Sequence, residues 1–178
     1  MTCLAISLTQ HPGRPIYKPM EFYTIGVYNS SETEFFNKLT KNNIDTFCDI
    51  RQRRGVRGAK YSFVNSNRLQ QKLSSLDINY GYIPDLAPTT EIRELQKRVD
   101  LEKGELKRER QALGQVFVLE YKSKILGNFD FDTFFEKLSQ IGANRIALFC
   151  VEEHPEACHR SIVAEKLIAT YNYTITHL

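Results

Sequence analysis

Arg145-Ile146-Ala147-Leu148-Phe149-Cys150-Val151-Glu152-Glu153-His154-Pro155-Glu156-Ala157-Cys158-His159-Arg160-Ser161-Ile162-Val163-Ala164-Glu165-Lys166-Leu167-Ile168 carries a strand, a polar turn and a helix start in one run. The apolar segment 145–149 reads as a buried strand, and the apolar spacing over 161–168 reads as a helix. Between them stand two thiols, two imidazoles, a guanidinium and several carboxylates. A strand followed by a polar turn and a helix places those groups at the carboxyl rim of a sheet, where open α/β sheets hold their ligands.

Working outward, strand and helix patterns alternate. Residues 22–27 read as a first strand, followed by a helix whose capping box is Ser31 and Glu34. That helix carries Phe35, Phe36 and Leu39 on one face. A second strand covers 46–50, and Leu69, Leu73 and Leu76 mark a second helix. Residues 78–83 form a third, weaker strand. The stretch 89–126 reads as helical, although Val116-Phe117-Val118-Leu119 suits a strand equally by propensity. Phe131, Phe134, Phe135, Leu138 and Ile141 give a helical stripe ahead of the strand at 145–149, and 173–177 closes the chain as a fifth strand. Strands separated by helices predict an α/β fold: a mostly parallel, Rossmann-like sheet of about five strands with helices on both faces, in three layers.

Composition bounds the rest. A chain of 178 residues, 42% hydrophobic and 25% charged, suits one domain with a real core. Residues 1–20 are set apart as a flexible leader, broken by His11-Pro12-Gly13-Arg14-Pro15 and Pro19, with Met20 as a possible native start. That leaves 21–178 as the α/β domain. Four cysteines in this length, two of them in strand-like runs, do not form a secreted disulfide framework, so a reducing cytoplasm is expected. No apolar run approaches the roughly 18 residues of a membrane helix. The net charge of +3 is too small to identify a nucleic-acid partner, so the distribution of charge must do so.

In a parallel sheet, residues just past each strand converge at one edge. Here they are Gly26 and Tyr28, Asp49 and Arg51, Asp85, and Cys150 and Glu152, with Cys158, His159 and Arg160 at the next helix start. The crevice is expected between strands one and four. Cys158, near a helix N-terminus and beside His159 and Arg160, is a candidate nucleophile, or else a small packed cysteine. Glu152 reads as a general base or as a bridge partner, and His159 as a proton carrier. Together with Asp49 these are the candidate catalytic residues. Arg160 reads as an anion ligand, or as a tie to Glu152 or Asp49. Cys150 reads as structural. Cys150, His154, Cys158 and His159 would suffice for zinc, but their spacing is no recognised finger or ribbon. Adjacent Cys158 and His159 are also expected to point apart on a helix, so neither metal nor cofactor is expected.

Familiar phosphate chemistries fail by count. A phosphatase loop needs an arginine six positions after the cysteine; Glu156 follows Cys150 at that spacing and Ala164 follows Cys158. No Gly-x-Gly-x-x-Gly or Walker-type loop is present. A second cluster, Arg51, Arg53, Arg54, Arg57 and Lys60 with two glycines and Tyr61, is a cationic loop suited to phosphate and to base stacking, or a solvated charged loop. Lys107-Arg108-Glu109-Arg110 reads as the solvent face of a helix.

The segments Tyr23-Thr24-Ile25-Gly26, Cys48-Asp49-Ile50-Arg51, Tyr80 before Leu86, Leu148-Phe149-Cys150-Val151-Glu152 and Cys158-His159-Arg160 occur in an order that resembles the family catalogued as domain of unknown function 488. The resemblance runs from about Phe22 to the C-terminus, and the Cys-His-Arg end is its most specific element. Family members commonly carry Gly-His-Ser where this chain has Gly26-Val27-Tyr28, and Leu-Gly-Gly where it has Leu86-Ala87-Pro88; the departures mark a subgroup. The resemblance implies an α/β fold and a shared rim site, and supplies no reaction. The Asp-Ile-Arg strand is also similar to rhodanese-like domains, which makes sulfur transfer an analogy at the level of fold.

Two classes of function follow. One is a cytosolic enzyme acting on nucleic acid or another phosphate-bearing substrate through the Cys/His/Arg/Glu rim, with Arg51 and Arg160 as anion clamps. The other is a non-catalytic nucleic-acid-binding module using the loop 51–60. The expected partner is thus a nucleic acid or a phosphorylated small molecule, with no membrane involved.

Overall fold

Strand β4 (Arg145–Phe149) is the hub of the sheet because every side chain after Arg145 is apolar and buried. A strand covered on both faces needs apolar residues at successive positions rather than at alternate ones. The computed structural model describes residues 20–178 apart from 57 and 108, so the leader to residue 19, Arg57 and Arg108 lie outside the described residues. β4 pairs in parallel with β1 (Glu21–Ile25) on one side and β2 (Thr46–Asp49) on the other. β3 (Asn79–Tyr82) and β5 (Ile175–His177) add parallel edges, giving the order β3-β2-β4-β1-β5. Ile25 and Asp49 both stand opposite Phe149, so the three central strands end level.

Helices cover both faces, as the alternation predicted. Ile25, Ala147 and Phe149 pack with Phe35 and Leu39 of α1 (Glu32–Lys41) and with Leu69 and Leu73 of α2 (Ser66–Ser74). On the other face Phe22, Ile146 and Leu148 pack against α3 (Thr90–Lys103), α4 (Gln115–Tyr121), α5 (Phe131–Gln140) and α6 (His159–Tyr171). Each fully buried aliphatic or aromatic side chain contributes about 1.5–3 kcal/mol. The chain leaves β1 and β2 toward one face and β4 toward the other. The connections therefore diverge around the end of β4 and leave a crevice there.

The local signals hold where they rest on capping. Ser31 Oγ accepts from Glu34 N at 3.2 Å, and the Glu34 carboxylate accepts from Ser31 N at 2.8 Å, completing the predicted box. Several details differ. β1 stops at Ile25 because the amides of Val27 and Tyr28 turn to the carbonyl of Val151, at 3.2 and 3.0 Å. Residues 115–121 are helical: Phe117 and Tyr121, four apart, are buried, while Val116 and Leu119 face outward. Ile141 caps the end of α5 instead of extending its stripe, and is 54% exposed. Met20, grouped with the leader by its sequence, is buried in the core. No helix among the described residues is long and apolar enough to cross a membrane.

Candidate functional site

The loop from β4 to α6 is shaped by backbone contacts before any side-chain chemistry. Arg160, 1% exposed, donates to the carbonyls of Glu152 at 2.6 Å and Glu153 at 2.7 Å. Gly26, at the end of β1, packs so closely that a Cβ there would lie 1.9 Å from the Glu152 carbonyl oxygen. Only glycine admits that approach. A short 3-10 turn, Pro155–Ala157, then delivers Cys158 as the N-cap of α6 in extended conformation (φ −138°, ψ 143°).

That change of backbone from Cys158 to the helical His159 turns both side chains to one place. His159 Nδ1 lies 3.8 Å from Cys158 Sγ and 3.8 Å from Cys150 Sγ. The expectation that Cys158 and His159 point apart is therefore overturned, because Cys158 precedes the helix and does not share its geometry. His159 Nε2 is 3.1 Å from the carbonyl of Ile50. A carbonyl only accepts, so Nε2 carries the hydrogen and Nδ1 faces the sulfurs. Cys150 Sγ donates to Glu152 Oε2 at 3.1 Å.

Electrostatics divide these groups into donors and acceptors of protons. Burial raises the Glu152 pKa, but the Lys107 ammonium and then His159 outweigh it and hold the carboxyl well below its usual range. Lys107 Nζ lies 3.0 Å and Arg110 Nη2 3.5 Å from Glu152 Oε1. Burial also works against a thiolate at Cys158. The neighbouring Cys150 and the charge of His159 overcome it and lower the Cys158 pKa, while Cys150 is pushed up by Cys158 and by burial. His159 is raised: burial opposes its charge, and Cys158 more than restores it. The two sulfurs and the imidazole thus share protons as one unit.

A cavity of about 680 Å³ opens over this centre and is lined by Cys150, Glu152, Cys158 and His159. Its walls carry the cations Arg51, Arg53, Arg93, Lys97, Lys107 and Arg110 beside Glu94 and Asp100. Arg51 is 3% exposed. Asp49 holds it in a bidentate pair at 2.8 and 2.7 Å, its guanidinium lies over the Phe149 ring at 4.5 Å, and its Nη1 has no hydrogen-bond partner.

The structure gathers some of the sequence-predicted residues and disperses others. Cys158, His159, Glu152, Arg51, Arg53 and Tyr61 line the one cavity. Asp49 lies outside that lining, committed to Arg51 and to the Tyr80 hydroxyl at 3.0 Å. Arg160 is also outside it; its tie is to backbone carbonyls rather than to the Glu152 or Asp49 carboxylate. Arg54 lies over the Tyr82 ring at 4.4 Å, and Lys60 lies near the Tyr61 ring beside a separate surface depression. Arg57 is outside the described residues, Asp85 is exposed, and exposed His154 neighbours Glu153.

Sequence reasoning missed Lys107, Arg110, Gln96 and Asp100. Arg110 donates to Asp100 at 3.0 Å and to the carbonyl of Ala157 at 2.8 Å, while Gln96 bonds Asp100 at 2.7 Å. α3 stops at Lys103 with Gly104 in left-handed conformation (φ 65°), so the described residues of 105–114 form a loop that brings Lys107 and Arg110 to the site, and not a helix. Gly104 was the available signal, as glycine is the usual helix terminator.

Neither a curated protein nor a solved structure matches this chain. The family model described as domain of unknown function DUF488 matches residues 31–167, a span that contains the whole β4–α6 loop, both sulfurs of the centre and every cavity-lining cation named above. With more than half its length matched, and the Cys-His-Arg end inside the match, the chain belongs to the DUF488 family.

Proposed function

We propose that this protein is an enzyme acting on a phosphate-bearing substrate, nucleic acid included, and that its chemistry occurs at Cys150, Cys158, His159 and Glu152. The observation that carries the reading is convergence: two thiols, an imidazole and an ionised carboxylate share the floor of one cavity whose walls are rich in cations. Titratable groups perturbed by burial and by specific charge partners within a cleft are the physical signature of a functional site. Arg53, Arg93 and Lys97 in the cavity walls offer cationic donors to phosphoryl oxygens. Glu152 stays ionised and anchors Cys150 and Lys107 at the centre, and His159 passes protons between sulfur and substrate. A sulfur anion at Cys158 can attack an electrophile or donate to a soft cation, and the two roles exclude one another at any moment.

The alternative of a binding module without catalysis rests on the loop 51–60, whose described cations are spread over separate surfaces rather than aligned along one groove. Screening purified protein against oligonucleotides, nucleotides and phosphate esters tests the choice. The enzyme reading expects a turnover reduced at least 100-fold by Cys158→Ser and by Glu152→Gln, with folding intact by circular dichroism. Oligonucleotide affinity without turnover, unchanged in Cys158→Ser, would establish the binding module instead. Sulfur transfer is separated by the same screen with a thiosulfate donor and cyanide as acceptor.

A further inference from the structure

We propose that Cys150 Sγ, Cys158 Sγ and His159 Nδ1 form a binding site for a soft divalent metal ion, with zinc its best-fitting occupant. The site stands on ligand geometry; only the use made of the metal rests on the enzymatic reading above. The three donor atoms all lie within 4.8 Å of one another, and each sulfur is 3.8 Å from Nδ1. Tetrahedral zinc, with bonds of about 2.3 Å to sulfur and about 2.0–2.1 Å to nitrogen, sets sulfur and nitrogen roughly 3.6 Å apart. Closing onto a metal therefore needs movements of only about 0.2 Å in the two sulfur–nitrogen pairs, and of up to about 1 Å in the sulfur–sulfur pair, which tetrahedral zinc sets roughly 3.8 Å apart.

Two further features belong to a ligand set more than to a packed core. Imidazole ligands are oriented by the hydrogen bond of their second nitrogen, and here Nε2 donates to the Ile50 carbonyl, which leaves the Nδ1 lone pair for the metal. Buried thiols in apolar cores have no need of a carboxylate, yet Cys150 points its proton at Glu152. Binding Zn²⁺ releases the two protons this centre holds, one from the Cys150 thiol and one shared by Cys158 and His159, and the two thiolates with a neutral imidazole then balance the dication. Thiolate and imidazole donors select zinc, iron or cobalt over magnesium or calcium.

All three ligands line the cavity, so the fourth position opens toward substrate. Three protein ligands and one open position distinguish catalytic zinc sites from closed structural ones. His154, the fourth ligand that spacing offered, is exposed beside Glu153 and takes no part. Glu152, with Oε1 held by Lys107 and Arg110 and Oε2 on Cys150, is placed to accept a hydrogen bond from a water at that open position. In this state Cys158 is a ligand and not the attacking group.

The test uses the full chain, untagged and purified without chelator or added metal. Elemental analysis is expected to find about one zinc or iron per chain in wild type and in Cys48→Ala, and at least tenfold less in Cys150→Ser, Cys158→Ser and His159→Gln. Because those variants alter a buried centre, wild type is also stripped and titrated with Co²⁺. Thiolate-to-cobalt charge-transfer absorption, with two thiols protected from a thiol reagent, supports the site. Metal content below 0.1 per chain with no such absorption overturns it, as does recovery of a Cys150–Cys158 disulfide that no reductant-treated sample exchanges for metal. A metal-loaded protein inert toward every phosphate substrate would sink the enzymatic reading and leave the metal site. A metal-free protein that turns over and loses activity in Cys158→Ser would do the reverse.

Discussion

Two loops leave the same edge of the sheet, one after β2 and one after β4, and they behave oppositely. The loop 150–160 has mixed charge, yet its functional groups are buried and pointed inward: Cys150, Glu152, Cys158, His159 and Arg160 are each at most 6% exposed. The loop from 52 to 60 carries more formal charge per residue, but its described side chains disperse to the cavity wall, the Tyr82 ring and the Tyr61 ring. The difference lies in burial. A buried polar group must find partners, and finding them fixes where it points, whereas solvent satisfies an exposed arginine in any direction. Density of charge along the chain therefore says less about a site than the cost of leaving that charge unpaired.

If burial is what separates the loops, substitutions should rank accordingly. Arg160→Ala deletes two charge-assisted hydrogen bonds to the loop backbone and is expected to cost about 3 kcal/mol or more. A denaturant midpoint close to wild type would show that the loop holds its shape without Arg160. Gly26→Ala forces a methyl against the Glu152 carbonyl, with a penalty of about 2–3 kcal/mol. Its crystal structure should show the 150–160 backbone displaced, and an undisturbed loop would contradict the close packing.

Glu152→Gln removes the partner of Lys107 and Arg110 at a cost of about 2 kcal/mol. Its depressed folded pKa means that Glu152 stabilises the fold fully above the unfolded carboxyl pKa of about 4.3 and loses that contribution as pH falls below it. Unfolding at stepped pH should therefore show the wild-type advantage over Glu152→Gln shrinking through the acid range. An advantage independent of pH would mean that the carboxylate is not held ionised by its neighbours.

The smallest effects belong to the other loop. Arg53→Ala and Arg54→Ala should each leave the denaturant midpoint close to that of wild type. Arg53, in the cavity wall, should weaken binding of an anionic ligand and lower its salt slope by about one, whereas Arg54, stacked on Tyr82, should leave both unchanged. Equal losses from the two would mean that the loop acts as one cationic surface, and the contrast with 150–160 would fail at that point.

The same contrast explains what could be read ahead of the coordinates. Local capping and periodicity located α1, α5 and the strand before Cys150, because those signals depend on residues three or four apart. Ile141 misled for the complementary reason: the stripe runs one residue beyond the helix end at Gln140, where the chain begins its turn into Gly142 (φ 72°). Lys107 and Arg110 were hidden because their partner, Glu152, lies more than forty positions away in the chain and no short-range pattern joins them. Asp49 and Arg160 sat correctly at the sheet rim, and which way each faced was decided by backbone carbonyls and by Arg51.

By itself, the amino-acid sequence determined that strands and helices alternate, that the sheet is mostly parallel with an apolar, buried β4, and that thiols, imidazole and carboxylate lie just past β4. Periodicity and chain order suffice for that, since they act over a few residues. The tertiary structure alone decided that Cys158 and His159 turn to the same point as Cys150, that Arg160 grips backbone instead of ligand, and that a loop after α3 closes over Glu152. Those outcomes follow from satisfying buried polar groups across distant segments, a requirement that arises only when the segments meet.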